Sequence, residues 1–285
     1  MMKRHIWFFR ILVLIFFLVF IFINNNYVKL NHVDINENNE PILSESFNIL
    51  QISDLHGKLF SSKQRKFTLM FDRLEYDAVV LTGDMIDKNT EDFRPVEFLI
   101  QYFSWKEKPV FFVTGNHEGA NPLFKEFTQL LESYGVIILD NSTYTFELDN
   151  QERNITFVGL SDPNVISYAT SQPIVNSSLE QANNNGDVTV LLSHRPTFIK
   201  DFRGETDVML SGHAHGGQIR LPFVGGIISP GEGWFPKYDY GLYEESDASN
   251  DKATYLYVNK GLGNSVIPIR LFNFPEVALL TINSK

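Results

Sequence analysis

Five short motifs in a fixed order constrain this chain more than anything else in it: SDLHG at 53–57, TGDMID at 82–87, TGNHE at 114–118, LLSHRP at 191–196 and SGHAHGG at 211–217. The first four each end an apolar run, FNILQIS, DAVVLTG, KPVFFVTG and DVTVLLS. Runs this short and this apolar read as strands buried on both faces. Helix-like stretches alternate with them: SKQRKFTLMFDRLEY, RPVEFLIQYFSWK and PLFKEFTQLLESYG. Strand and helix in alternation predict a mainly parallel sheet, whose ligands collect beyond the carboxyl ends of the strands, where the motifs fall. Further strands are expected in a hairpin over Thr143–Leu160, on both sides of the HAH element, and in ATYLYVNKG and VALLTINSK. That excess predicts an α/β fold with two packed mixed sheets flanked by helices.

The motifs carry Asp54, His56, Asp84, Asn116, His117, His194, His213 and His215. Carboxylate, imidazole and carboxamide all bind divalent metals, and two such ions about 3.5 to 4 Å apart form a clamp for displacement at phosphorus. On extended backbone, residues two apart project to one side, so the DxH and HAH spacings bring two ligands together without a helix. Singly each motif also reads as a turn Asp or a surface His. Jointly, in this order, they read as one two-metal site. The chain has no cysteine, so any metal is held by oxygen and nitrogen, and a thiol nucleophile is excluded. Mixed Asp, His and Asn ligation favours Mn, Fe or Zn over Ca.

A separate piece precedes the motifs. Ile6–Ile23 is apolar apart from Arg10, and Lys3 and Arg4 come before it. Eighteen residues reach roughly 27 Å as a helix, enough for a bilayer core. A cleaved signal peptide and a buried core helix are the alternatives. The run is long for a signal peptide, and INNNYVKLN after it offers no small-residue cleavage site. One transmembrane anchor over residues 1–25 is therefore expected, its amino end cytoplasmic and the rest outside the cell membrane. Residues 26–46 are polar and Asn-rich and read as a tether, with the globular domain over 47–285.

Residues 1–30 hold four cations and no acid, so the remainder carries −14 rather than the whole chain's −10. So acidic a domain lacks the basic track that a nucleic-acid backbone requires, and no nucleic-acid partner is expected.

SDLHG, TGDMID, TGNHE, LLSHRP and SGHAHGGQIRLP together resemble the calcineurin-like metallophosphoesterases over about residues 47–282. The resemblance implies a double sheet with a di-metal centre at its strand ends. One metal would take Asp54, His56, Asp84 and His215, the other Asp84, Asn116, His194 and His213, with Asp84 as the bridge. It also implies a metal-bridging hydroxide as nucleophile, His117 as the proton donor, and Asp87 fixing the His117 tautomer, although Asp87 reads equally as a helix cap. GGQIRLP with KGLGNSVIPIRLFNFPEV resembles the membrane-associated branch that includes UDP-diacylglucosamine pyrophosphohydrolases and secreted, wall-associated phosphoesterases. The substrate would be a phosphomonoester, phosphodiester or pyrophosphate of a lipid, nucleotide or wall polymer. A non-catalytic binding module on the same fold is the alternative, and a complete ligand inventory argues against it.

Arg195 and Arg220 stand near the motifs as either phosphate contacts or structural ion-pair partners. Phe223–Tyr243, rich in Gly, Pro and aromatic rings, reads as a substrate wall or a surface lobe packed on itself. His5 and His32 read as neighbours of solvent or headgroups. The sequons at Asn141, Asn154 and Asn176 read as a product of Asn-rich composition.

Overall fold

The computed structural model describes residues 2–36, 43, 45–148, 153–229, 232–247, 250–264 and 268–283. A long helix α1 (Met2–Asn26) leads into two six-stranded sheets. The first contains β1 (Lys29–Ile35), β2 (Phe47–Ile52), β3 (Ala78–Thr82), β4 (Val110–Val113) and β5 (Ile137–Ile138). The second contains β6 (Thr143–Phe146), β7 (Ile155–Leu160), β8 (Val188–Ser193) and β9 (Val208–Ser211). Two small ribbons follow, β10 (Arg220–Leu221) with β11 (Gly225–Gly226) and β12 (Ile228–Ser229) with β13 (Gly233–Trp234). Then come β14 (Gly241–Asp247) and β15 (Asn250–Val258), which complete the second sheet, and β16 (Glu276–Ile282), which returns to the first.

The first sheet runs β1-β16-β2-β3-β4-β5 and the second β14-β15-β9-β8-β7-β6. Parallel pairing joins β2 to β5 in one and β15 through β9 and β8 to β7 in the other; β16 is antiparallel to β2 with β1 parallel to β16, and β14 and β6 are antiparallel to β15 and β7. Helices α2 (Arg65–Phe71), α3 (Arg94–Ser104) and α5 (Phe124–Ser133) pack on the first sheet, and α6 (Tyr168–Asn185) and α7 (Ile199–Phe202) on the second. The expected layering of helices, two sheets and helices is present.

Period-2 alternation decides which layer each side chain enters. Ala78 and Val80 of β3 face the second sheet, while Val79 and Leu81 face the helices. Val208 and Leu210 of β9 likewise face inward and Met209 faces the second helical layer. Phe111 of β4 stacks on Phe157 of β7 across the inter-sheet layer, with ring centroids 4.7 Å apart. Burying each such side chain stabilises the fold by about 1.5 to 3 kcal/mol. In α3, Val96, Leu99, Ile100 and Phe103 recur at helical spacing on the buried face, with Pro95 in the first turn, where its missing N–H is harmless.

Three expectations need correction. The tether read over 26–46 contains β1, which pairs in parallel register with β16 from Lys29↔Glu276 to Ile35↔Ile282; only Val33 and Ile35 of it are buried, too few for a clear pattern. Residues 37–42 and 44 of that stretch lie outside the described residues. Helix α6 stands where no helix was read. It is polar, holds Pro173 inside and buries only Ser171, Val175, Leu179 and Ala182. Of GQIRLP, only Arg220–Leu221 is a strand, and it pairs in a short ribbon outside both main sheets.

Candidate metal centre

Parallel pairing aligns the carboxyl ends of β2, β3 and β4, and backbone bonds then lace their loops together. The Asp54 amide donates to the Gly83 carbonyl and the His56 amide to the Asp84 carbonyl, both at 3.0 Å. Glu118, fully buried in α4 (Asn116–Ala120), accepts from the amides of Asp84 (2.8 Å), Met85 (2.6 Å), Ile86 (3.2 Å) and Gly115 (2.9 Å). Burial pushes its carboxyl up to about 8, with the amide donors pulling the other way. The second sheet joins through His194, whose Nδ1 lies 2.8 Å from the Thr82 carbonyl, and through the His213 amide, which donates to both Asp54 oxygens at 3.1 and 3.2 Å.

The expected extended-backbone spacing is wrong in its mechanism. Asp54, His56, Asp84, His213 and His215 all have left-handed backbone, with φ of 51°, 50°, 51°, 66° and 49°. Each such conformation costs of order 1 kcal/mol in a non-glycine residue and persists only where the surroundings enforce it, typically at functional sites. Tight turns, not pleat alternation, aim these side chains. Nor do the HAH imidazoles meet at one point. His215 joins Asp54, His56 and Asp84, whereas His213 joins Asp84 and His194, and within each group the ligand atoms lie within 4.8 Å of one another. Asp84 belongs to both groups.

The separations are those of donors aimed at a common centre. His56 Nε2 is 3.1 Å from His215 Nε2, which is 3.4 Å from Asp54 Oδ1. His56 Nε2 is also 3.8 Å from Asp84 Oδ2. In the second group, His194 Nε2 is 3.2 Å from Asp84 Oδ2 and 3.1 Å from His213 Nδ1. Asn116 begins α4, and its Oδ1 is buried with no hydrogen-bond partner among the described residues. A buried acceptor left unpaired costs about 1 to 3 kcal/mol, a cost that a cation would remove. The set of carboxylates, imidazoles and one carboxamide fits two divalent transition-metal ions.

Burial and charge act on the donors in different directions. Burial pushes the Asp54 carboxyl up to about 7. It also drives His56 down to about 4, His213 down to about 3 and His215 well below the usual imidazole range, leaving neutral rings able to bind metal. For His194 burial acts in the same direction, but the charge of Asp84 and its hydrogen bond outweigh it and raise the ring to about 10. Asp84 is held well below the usual carboxylate range, burial being overcome by His194.

Beside these groups, His117 Nδ1 lies 3.2 Å from Asp87 Oδ2 and 3.4 Å from the Lys88 amide. The Lys88 amide donates toward Nδ1, with Asp87 Oδ2 closer to the same nitrogen, and Nε2 is turned toward Asp84, 3.9 Å from Oδ2. Arg195 makes a fork onto Asp162 at 2.6 and 2.9 Å, and Arg220 binds Asp239 and the Gly216 carbonyl, both at 2.8 Å, so both arginines are structural partners here. His5 and His32 are exposed and far from this chemistry in sequence.

Sequence reasoning missed the residues that shape the pocket without binding in it. A Cβ at Gly115 would lie 2.3 Å from Asp84 Oδ1, and one at Gly212 2.3 Å from Asp54 Oδ2. Arg270, fully buried, donates to the Gly263 and Lys260 carbonyls and places Nη2 3.3 Å from His215 Nδ1. The available signals were the glycine beside each ligand in TGNHE and SGHAH, and Glu118 closing the former.

Residues 47–217 match the family described as calcineurin-like phosphoesterase. An uncharacterized metallophosphoesterase of Bacillus subtilis, YkuE, is 28% identical over 84% of this chain and 80% of its own length. A transmembrane protein with metallophosphoesterase domain from Bos taurus is 28% identical over 86% of this chain, which spans 54% of that protein. Among solved structures, a 5'-nucleotidase precursor from Thermus thermophilus superposes with a TM-score of 0.50 at 15% identity, over 76% of this chain and 49% of that one, a likeness of fold alone.

Proposed function

The chain belongs to the calcineurin-like phosphoesterase family, and from that premise we propose that it is a di-metal phosphoesterase anchored by α1, working at the outer face of the membrane. The observation that carries the reading is the sharing of Asp84 between two groups of donors. One ion falls to Asp54, His56, Asp84 and His215, the other to Asp84, Asn116, His194 and His213. Bound there, a pair of divalent ions, Mn, Fe or Zn, supplies positive charge against the phosphate oxygens and lowers the pKa of a water.

The chain's own groups do the rest. Depressed imidazole pKa values keep His56, His213 and His215 free of protons that would compete for their lone pairs. Carrying a proton on each ring nitrogen, His117 gives the one on Nε2 to the departing oxygen as the phosphorus–oxygen bond breaks, and Asp87 at the opposite nitrogen orients the ring and offsets its positive charge. Asn116 at the start of α4 turns its amide on the phosphoryl oxygens, where negative charge grows. The substrate is a phosphomonoester, phosphodiester or pyrophosphate of a lipid, nucleotide or wall polymer.

The apolar span of α1, His5–Asn26, is long enough to cross a bilayer, and its most apolar stretch is not buried against the rest of the chain. Lys3, Arg4 and Arg10 at its start support a cytoplasmic amino end. The decisive experiment uses the full chain in detergent, stripped and reloaded with Mn, Fe or Zn, against bis-p-nitrophenyl and p-nitrophenyl phosphate. Hydrolysis that requires the ion and disappears in Asp84→Asn supports the reading. No turnover with any of the ions overturns it in favour of a non-catalytic module.

A further inference from the structure

The transmembrane helix and the metal centre sit at the same edge of the fold, and topology dictates it. Strand β1 is parallel to β16, which is antiparallel to β2, so β1 begins at the edge where β2 ends in Asp54. Only Tyr27 and Val28 separate β1 from α1. The last turn of α1 is built into that edge. Asn25 Oδ1 accepts from the Arg270 amide and from Asn264 Nδ2, both at 3.0 Å, and Lys66 Nζ donates to the Asn26 carbonyl at 2.8 Å.

Contact continues back along the helix. The ring of Phe20 meets that of Phe272 edge to face, centroids 5.2 Å apart. Phe20 lies six residues before Asn26, about 9 Å along the axis at 1.5 Å per residue. With α1 across a bilayer, Phe272 reaches below the headgroups. The Leu271 carbonyl accepts from the Arg220 amide at 3.0 Å, tying this loop to the β10–β11 hairpin, whose tip carries Leu221, Phe223 and Val224. Phe223 is fully exposed, and Leu221, Val224 and Phe272 are about half exposed. Phe223 and Phe272 also have left-handed backbone, φ 67° and 51°, an expensive conformation for aromatic residues. Lys58 and Lys66 hold the helix end and mark a basic collar at headgroup level on an otherwise acidic chain.

We propose that the β10–β11 hairpin tip and the Ile269–Phe272 loop are seated in the bilayer leaflet from which α1 emerges, holding the metal centre at the membrane surface. The same segments reach the centre: Arg270 approaches His215 Nδ1, and Asn273 Nδ2 donates to the His215 carbonyl at 2.6 Å. The seating draws on α1 crossing a membrane and is independent of turnover.

The chain lacks cysteine, so single substitutions give unique labelling positions. Full-length Phe223→Cys, Val224→Cys and the control Ser133→Cys, exposed at the end of α5, are labelled with an environment-sensitive fluorophore in phosphatidylcholine nanodiscs. Labels at 223 and 224 are expected to shift to the blue and to be quenched severalfold by nitroxide-bearing lipid, while the label at 133 is unaffected. Labels at both positions that stay as wet and unquenched as the control overturn the proposal. So does a blue shift without lipid quenching, which marks burial against a second copy of the chain. Thermal melting of each variant confirms that the reporter sits on folded protein.

Discussion

Replacing Gly212 by alanine should disable the site without removing any metal-binding atom. The added methyl would stand 1.9 Å from Ser53 Oγ and 2.3 Å from Asp54 Oδ2. Non-bonded carbon and oxygen approach to about 3.3 Å, so the methyl and the carboxylate must part by about 1 Å. Neither side yields easily. The Gly212 amide donates to the His194 carbonyl at 3.1 Å, and β9 just before it is clamped between β8 and β15. The Asp54 carboxylate accepts from Ser53 Oγ at 2.5 Å and from the His213 amide. A displacement of about 1 Å at a reacting centre costs about 10²-fold in rate, which is the loss expected in hydrolysis of bis-p-nitrophenyl phosphate by the metal-loaded full chain. The double variant Ser53→Ala/Gly212→Ala removes the nearer clash but leaves the one with Asp54, so turnover should stay low. Gly186→Ala is the control: its methyl meets nothing within 4 Å, and at φ +80° it costs about 1 kcal/mol of backbone strain with turnover unchanged. Gly212→Ala protein with wild-type turnover and metal content would refute the reasoning.

Chelation should lower the thermal midpoint, because the ions would bind only the folded arrangement of buried donors around Asp54 and Asp84; at ion concentrations of about 100 Kd the linkage is worth about 2.7 kcal/mol, read by calorimetry with and without added ion. Asp87→Asn should reduce kcat by about 10- to 100-fold with little change in KM, together with an altered pH profile, since the carboxylate acts through His117; an unchanged profile would remove Asp87 from the mechanism. Lys260, between Glu276 and the ring of Tyr240, is pushed down to about 8 by burial, so from about pH 8 to its unfolded value the folded chain has released a proton that the unfolded chain keeps. Stability therefore gains a rising contribution across that window, at most about 1.4 kcal/mol per pH unit, which Lys260→Met should lack when urea midpoints are compared from pH 7 to 10.5. Parallel pH curves for the two proteins would contradict this assignment.

The donors were legible because their chemistry resides in residue type, and the strands before them because a run such as AVVLT leaves no polar face to expose. What escaped notice lies in geometry that residue type does not encode. The left-handed turns at Asp54 and His56 look, in sequence, like any extended DxH. Glu118 reads as one more surface acid until four amides converge on it. Helix α6 buries four modest side chains in eighteen residues, so its register is fixed by the sheet beneath it rather than by any stripe of its own. Strand β1 is similar: Val33 and Ile35 alone face the core, and its pairing with a segment almost 250 residues later supplies the rest.

The dovetailing of Asn25 into the loop around Arg270 ties anchorage to competence. Clipping the chain just after Asn26 would remove the Asn25 carboxamide with its hydrogen bonds to Asn264 and Arg270 and leave Arg270 less firmly seated beside His215. A cut a few residues further on would also take away β1, an entire edge of the first sheet. Proteolytic release would then act as an off-switch, and a liberated domain would be a poorer hydrolase than the tethered one.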